Sequence, residues 1–166
     1  MLKKYFDEVK YEHIKNSDNL IYKAMEIATT LFEKDLDKGG MPYILHIIAV
    51  YTHVNTLNEK VVALLHDVIE DKEVTCQDLE EVGFPQNIID DVFILTRVKP
   101  IDYSDYINNI VANGSVVAMN VKLADLENNM DITRISNPTV EDYERIKRRY
   151  IPSHEKITNR LKELVG

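Results

Sequence analysis

Apolar residues along this chain recur at spacings of three and four, and no stretch alternates strictly enough to read as a sheet. The pattern predicts an all-α protein. Ile21, Met25, Ala28 and Phe32 share one face of a helix that Ser17 or Asp18 can cap; it runs to about Lys34, and Asp37-Lys38-Gly39-Gly40 ends it. Pro42 lacks a donor that a first helical turn leaves unpaired anyway, so it suits the opening of a helix through His46 to about Asn55. Residues 58–71 are almost wholly apolar until their end. Thr75 caps a short acidic turn that Gly83 stops, and Pro85 opens a segment to Arg97. Pro100, Gly114 and Asn137-Pro138 divide the remainder into helices near 103–112, 115–132, 139–150 and 153–164. No linker, low-complexity run or fixed-period repeat interrupts this series, so a single domain over 1–166 is expected. A chain of 166 residues buries roughly 70% of the surface it exposes unfolded, enough for one core without staples.

Composition narrows the functional classes. No run of 18 apolar residues exists, which excludes a membrane span. The first ten residues carry no apolar signal region, and the single cysteine, Cys76, excludes an internal disulfide; together they point to the cytoplasm. With 20 basic against 28 acidic residues the net charge is −8, which repels phosphate backbones and argues against a polynucleotide partner. The balance is uneven, since residues 131–166 hold eight Lys/Arg against six Asp/Glu. Attraction for a small anion should come from that end or from a bound cation. Nothing in the sequence fixes an oligomeric state.

The sharpest local signal is ALLHDVIED, residues 63–71. On a continuous helix, His66, Asp67, Glu70 and Asp71 fall within an arc of roughly 140°. Three carboxylates on a mostly buried helix repel one another and lose hydration, so a cation is needed to keep them ionised. Taken alone, the segment also reads as a frayed helix end that meets water. Two further segments bear on the choice. MPYILH sets His46 about one turn into an otherwise apolar helix, and VKLADLENNM sets Asp125 on one face with Lys122 and Asn129. His53, seven residues after His46, reads as a packing or supporting residue. Two histidines and two aspartates on three helices make a mixed nitrogen and oxygen ligand set, suited to Mn2+, Fe2+ or Zn2+ over an all-oxygen Mg2+ site.

PYILH, ALLHDVIED, Leu95-Thr96 and VKLADLENNM, in this order, resemble the HD-domain metal phosphohydrolases. Within them the resemblance is to the hydrolase domain of the RelA/SpoT family, which removes pyrophosphate from the 3′ position of guanosine tetra- and pentaphosphate (ppGpp and pppGpp), the nucleotides of the stringent response. It covers about residues 20–160 and implies an HD-type helical bundle around a metal site. By motif, it assigns His46, His66, Asp67 and Asp125 as metal ligands, Glu70 and Asp71 as the groups that orient and deprotonate water, and Asn129 to a place beside the site. It favours Mn2+ and a phosphorylated nucleotide as the small-molecule partner.

The departures are equally specific. Family hydrolases usually read like AHxGQxRKxGxPYI before the first metal histidine, whereas this chain has Phe32 at the His, Asp35 at the Gln and Asp37 at the Arg. The segments DKGGMPYILH (37–46) and NMDITRISNPT (129–139) are closer to short stand-alone HD proteins. Asp35 and Asp37 should repel incoming phosphates unless they hydrogen-bond a base or ribose. Candidates to grip the remaining phosphates are Lys38, Arg97, Lys99, Lys122 and the run Arg145, Lys147, Arg148, Arg149 with Tyr150, where α-helical spacing puts Arg145, Arg148 and Arg149 on one face. The sequence therefore leaves three readings: a guanosine polyphosphate pyrophosphohydrolase, an HD phosphohydrolase of another nucleotide or phosphate ester, and a non-catalytic nucleotide- or metal-binding protein.

Overall fold

The computed structural model describes residues 2–165, and among them the regular structure is helical, with one isolated bridge joining Leu36 and Pro42. The helices are α1 (Glu8–Asn16), α2 (Leu20–Leu31), α3 (Ile44–Thr52), α4 (Leu57–Leu65), α5 (Val68–Asp71), α6 (Cys76–Glu81), α7 (Gln86–Leu95), α8 (Tyr103–Asn113), α9 (Val116–Met130), α10 (Val140–Arg145) and α11 (Ile151–Val165). Among these residues no helix is long and apolar enough to cross a membrane.

Helix α4 is the axis of the fold. Val61, Val62, Ala63, Leu64 and Leu65 are fully buried, and the helix packs against α2, α3, α7 and α9. Each buried Val or Leu contributes about 1.5–3 kcal/mol relative to exposure, so α4 can carry the charged residues that follow it into the interior. Its start is fixed by a capping box: the Glu59 N–H donates to Thr56 Oγ1 at 3.3 Å, and Glu59 Oε2 accepts from the Thr56 N–H at 2.8 Å. Helix α9 crosses α3, α4 and α7, and α11 lies over α8 and α9. Ser115 caps α9 by accepting from the Ala118 N–H (3.0 Å), while its own hydroxyl donates to buried Asp91 (2.6 Å).

Several boundaries differ from the sequence expectation. The N-terminus forms a 3-10 turn (Leu2–Tyr5) and α1, which the sparse apolar pattern did not announce; Asp7 caps α1, and Tyr11 and Ile14 alone anchor its buried face. Asn19 caps α2, and that helix stops at Leu31, where the chain turns toward the Leu36–Pro42 bridge. The helix expected over 58–71 breaks at His66-Asp67 into α4 and α5, with Asp67 at φ −104° and ψ −2°. The two helices expected over 139–150 and 153–164 are joined by a π-helical turn, Ile146–Tyr150. Pro152 therefore does not end the chain's helical course, because a turn with i→i+5 bonding changes the ladder just ahead of the residue that lacks a donor.

Candidate metal centre and adjoining cleft

The break at His66-Asp67 turns both side chains toward α3 and α9. His46 from α3, His66 and Asp125 from α9 are all buried, and one ligand-type atom of each lies within 4.8 Å of the others. His46 Nε2 is 3.3 Å from Asp125 Oδ1 and 3.7 Å from Asp67 Oδ2, and His66 Nε2 is 2.9 Å from Asp67 Oδ2. Both rings are held from behind. His66 Nδ1 lies 2.7 Å from the Ala63 carbonyl oxygen and His46 Nδ1 2.7 Å from Asn128 Oδ1. An acceptor at Nδ1 places the proton there and leaves the Nε2 lone pair facing the cluster, the arrangement that ligating histidines need. His66 Nε2 is buried and not aligned for a hydrogen bond with any neighbour. The carboxylates are supported as well: Tyr43 Oη donates to Asp67 (2.6 Å), Lys122 Nζ to Asp125 Oδ2 (2.6 Å) and Asn129 Nδ2 to Asp125 Oδ1 (2.5 Å).

The electrostatics describe a pocket that demands positive charge. Burial disfavours the His66 imidazolium, but the Asp67 and Asp125 charges outweigh it and push the ring up to about 9. Burial would raise Asp125, yet Lys122, His46 and His66 hold its carboxyl far below the usual range. Asp67 is lowered against its own burial by His66 and His46. A divalent cation and a histidine proton would satisfy the same demand, and two bare imidazole nitrogens beside two carboxylates fit a borderline metal.

Two adjoining hollows, of about 300 and 240 Å³, open over this cluster and share Lys38, Tyr43, His46, Asn129, Arg145 and Tyr150 in their walls. Glu70, Asp71, Arg97, Lys122 and Arg149 also line the larger one. Glu70 Oε2 accepts from the Arg97 N–H at 2.7 Å. Asp71 stands at the opening, walled by protein on one side and wet on the other. That partial enclosure, with the Asp67 and Glu70 charges, pushes its carboxyl up to about 6. The Arg97 and Arg149 side chains lie over the Tyr103 ring at 5.8 and 5.7 Å. Lys38 is lowered by its partial burial and then by Arg145. A wall whose cations repel one another is a wall that an anion would relieve.

Some expected positions move. Arg148 lies outside both hollows, exposed and paired with Glu144 (2.8 Å). The wider π turn sets it off the face it would share with Arg145 and Arg149 in an α-helix. Lys99 and Lys147 are exposed and line neither hollow. His53 is not a packing residue: it is exposed at the C-terminus of α3, with Nδ1 2.7 Å from the Ala49 oxygen. Asp35 and Asp37 do not stand as free negative charges, because Asp35 pairs with Lys72 (2.5 Å) and Asp37 with Arg134 (2.9 Å). Tyr43, Asn128 and Arg134 hold the centre but went unnamed in the sequence reading. Tyr43 lies inside PYILH and Arg134 inside NMDITR, so their positions carried a signal; the partners of each did not.

No family model matches the sequence. Among solved structures, the chain is similar to a metazoan protein described as an ortholog of SpoT that hydrolyzes ppGpp and plays a role in starvation responses. The likeness has a TM-score of 0.70 at 24% identity and covers 87% of this chain and 86% of that one. The chain has the HD-type helical fold.

Proposed function

We propose that the protein is a metal-dependent phosphohydrolase, and that its substrate is a guanosine polyphosphate from which it releases the 3′ pyrophosphate. The observation that carries this reading is the buried cluster of His46, His66 and Asp125, with Asp67 beside it, at the base of a cleft walled by Lys38, Arg97, Arg145 and Arg149. When bound, a divalent ion supplies Lewis acidity that lowers the pKa of an attacking water and offsets charge on phosphate oxygens. His46, His66, Asp67 and Asp125 would hold it, with Mn2+ favoured by the resemblance.

Water attacks the phosphorus attached to the 3′ oxygen. Asp71, whose carboxyl is pushed up to about 6, takes the water proton, and Glu70, braced by the Arg97 N–H, orients the water. The phosphorus–O3′ bond breaks, pyrophosphate leaves as an anion beside the arginines, and the proton returns to the 3′ oxygen. Lys38, Arg145 and Arg149 bind the phosphates, and Tyr150 closes the same wall. Lys122 and Asn129 act through Asp125, which both contact.

The test is hydrolysis by the purified protein with Mn2+. Release of pyrophosphate from guanosine tetraphosphate supports the reading. Release of single phosphates from other nucleotides or simpler esters alone would favour a different HD phosphohydrolase, and tight nucleotide binding without turnover a binding protein.

A further inference from the structure

Asp37 sits where the resemblance leads one to expect a base, and its carboxylate is spoken for. Oδ1 accepts from the Gly39 and Met41 N–H groups at 2.8 and 3.0 Å, and Oδ2 accepts from Arg134 Nη2 at 2.9 Å. The loop is pressed against Arg134, since a Cβ at Gly39 would come within 2.2 Å of the Arg134 carbonyl oxygen. Arg134 in turn reaches back to α9, where Nη1 donates to the Asn128 backbone oxygen (3.0 Å) and to Asn128 Oδ1 (2.5 Å). That same Oδ1 faces His46 Nδ1 at 2.7 Å.

The direction of these bonds has a consequence. A guanidinium can only donate, so the atom of Asn128 that meets Arg134 must be the amide oxygen. Its orientation is thereby fixed. An amide oxygen can only accept, so the ring atom of His46 that meets it must carry a hydrogen. The neutral His46 ring is then protonated at Nδ1 and bare at Nε2, the nitrogen that faces His66 and Asp125. Without Arg134 the amide is free to flip and present its NH2 to Nδ1, which would move the proton to Nε2 and remove the ligand lone pair.

We propose that Asp37 and Arg134 are positioning residues that set the tautomer of His46 through the amide of Asn128, and that Asp37 serves the metal centre in this way instead of contacting substrate. The proposal rests on His46 being a metal ligand and does not depend on which phosphate ester is cleaved.

The test is a mutant cycle read by Mn2+ affinity, from the electron paramagnetic resonance of free Mn2+, and by nitrogen-15 NMR of the histidine rings in metal-free protein. Arg134→Leu should weaken Mn2+ about ten- to a hundredfold and shift the neutral His46 ring toward the Nε2–H form, with the helical circular dichroism unchanged. Asp37→Ala should do the same to a smaller degree. In an Asn128→Asp background, Arg134→Leu should change neither readout, because a carboxylate can only accept and keeps the proton on Nδ1 unaided. A folded Arg134→Leu with wild-type affinity and tautomer overturns the proposal, as does an equal loss in both backgrounds. A wild-type protein that takes up no Mn2+ overturns instead the reading of His46 as a ligand.

Discussion

At the floor of the cleft, His46, His66 and Asp125 are buried, and their outer atoms are held by Asn128, the Ala63 carbonyl, Lys122 and Asn129. At its mouth, Glu70, Asp71 and Arg149 are exposed, and water screens much of what they do to one another. The two Asp carboxyls show the contrast: Asp125 is held far below the usual range, whereas Asp71 is pushed up to about 6. A fixed charge suits holding an ion and a movable proton suits chemistry, so environments that drive like groups apart mark separate tasks. Changes at the floor should therefore cost metal and fold together, and changes at the mouth should act on turnover or affinity with little effect on the fold.

Asp125→Asn is the strongest attempt to break that division. It leaves Lys122 buried without its counter-charge, and removing one member of a buried pair costs about 3–5 kcal/mol. Urea unfolding should show a loss of that size, and elemental analysis should show no retained metal. A variant that keeps both would mean that the floor is not the ion site.

Glu70→Gln probes the boundary between the regions. Turnover should fall by about 10²–10⁴-fold while metal content stays at the wild-type level, whereas Asp67→Asn should lose both. Loss of metal from Glu70→Gln would move Glu70 into the ligand set. Smaller again is the effect of the cationic wall. Arg145→Gln with Arg149→Gln should raise KM about tenfold, ~1.4 kcal/mol, with kcat and melting temperature nearly unchanged and with a weaker dependence on salt. An equal fall in kcat would place these arginines at the transition state instead.

The smallest effect is one of pH. The Asp71 carboxyl is raised in the folded chain, so the folded state binds that proton more tightly than the unfolded one. Its favourable contribution is complete below the unfolded value near 3.8 and is lost as pH rises through about 6. Asp71→Asn should make the metal-free protein slightly more stable than wild type above pH 6, and the gain should shrink toward pH 4. Chemical denaturation across that range checks the sign; a loss of stability at pH 7 would show that Asp71 is paired rather than crowded.

What could be read from the sequence was what acts over a few residues. Apolar spacing of three and four marked α2, Pro42 and the apolar run over 58–71 marked α3 and α4, the Thr75 cap and the breakers Gly114 and Asn137-Pro138 bounded real helices, and the segments PYILH, ALLHDVIED and VKLADLENNM hold the residues that meet at the floor. Helical phase and capping bonds are satisfied within one or two turns, so the neighbours in sequence decide them. The angular arithmetic on 63–71 assumed a continuous helix that the chain does not form, yet His66 still joins the buried cluster and Asp67, Glu70 and Asp71 still line the cleft above it. Tertiary structure alone decided that break, the π turn that carries Arg148 away from the cleft, and the joining of Asp37 to Arg134 across 97 positions. Those outcomes depend on which buried or charged groups another segment brings into reach, and a local pattern of charges looks the same whether its partner is water, an ion or an arginine from the far end of the chain.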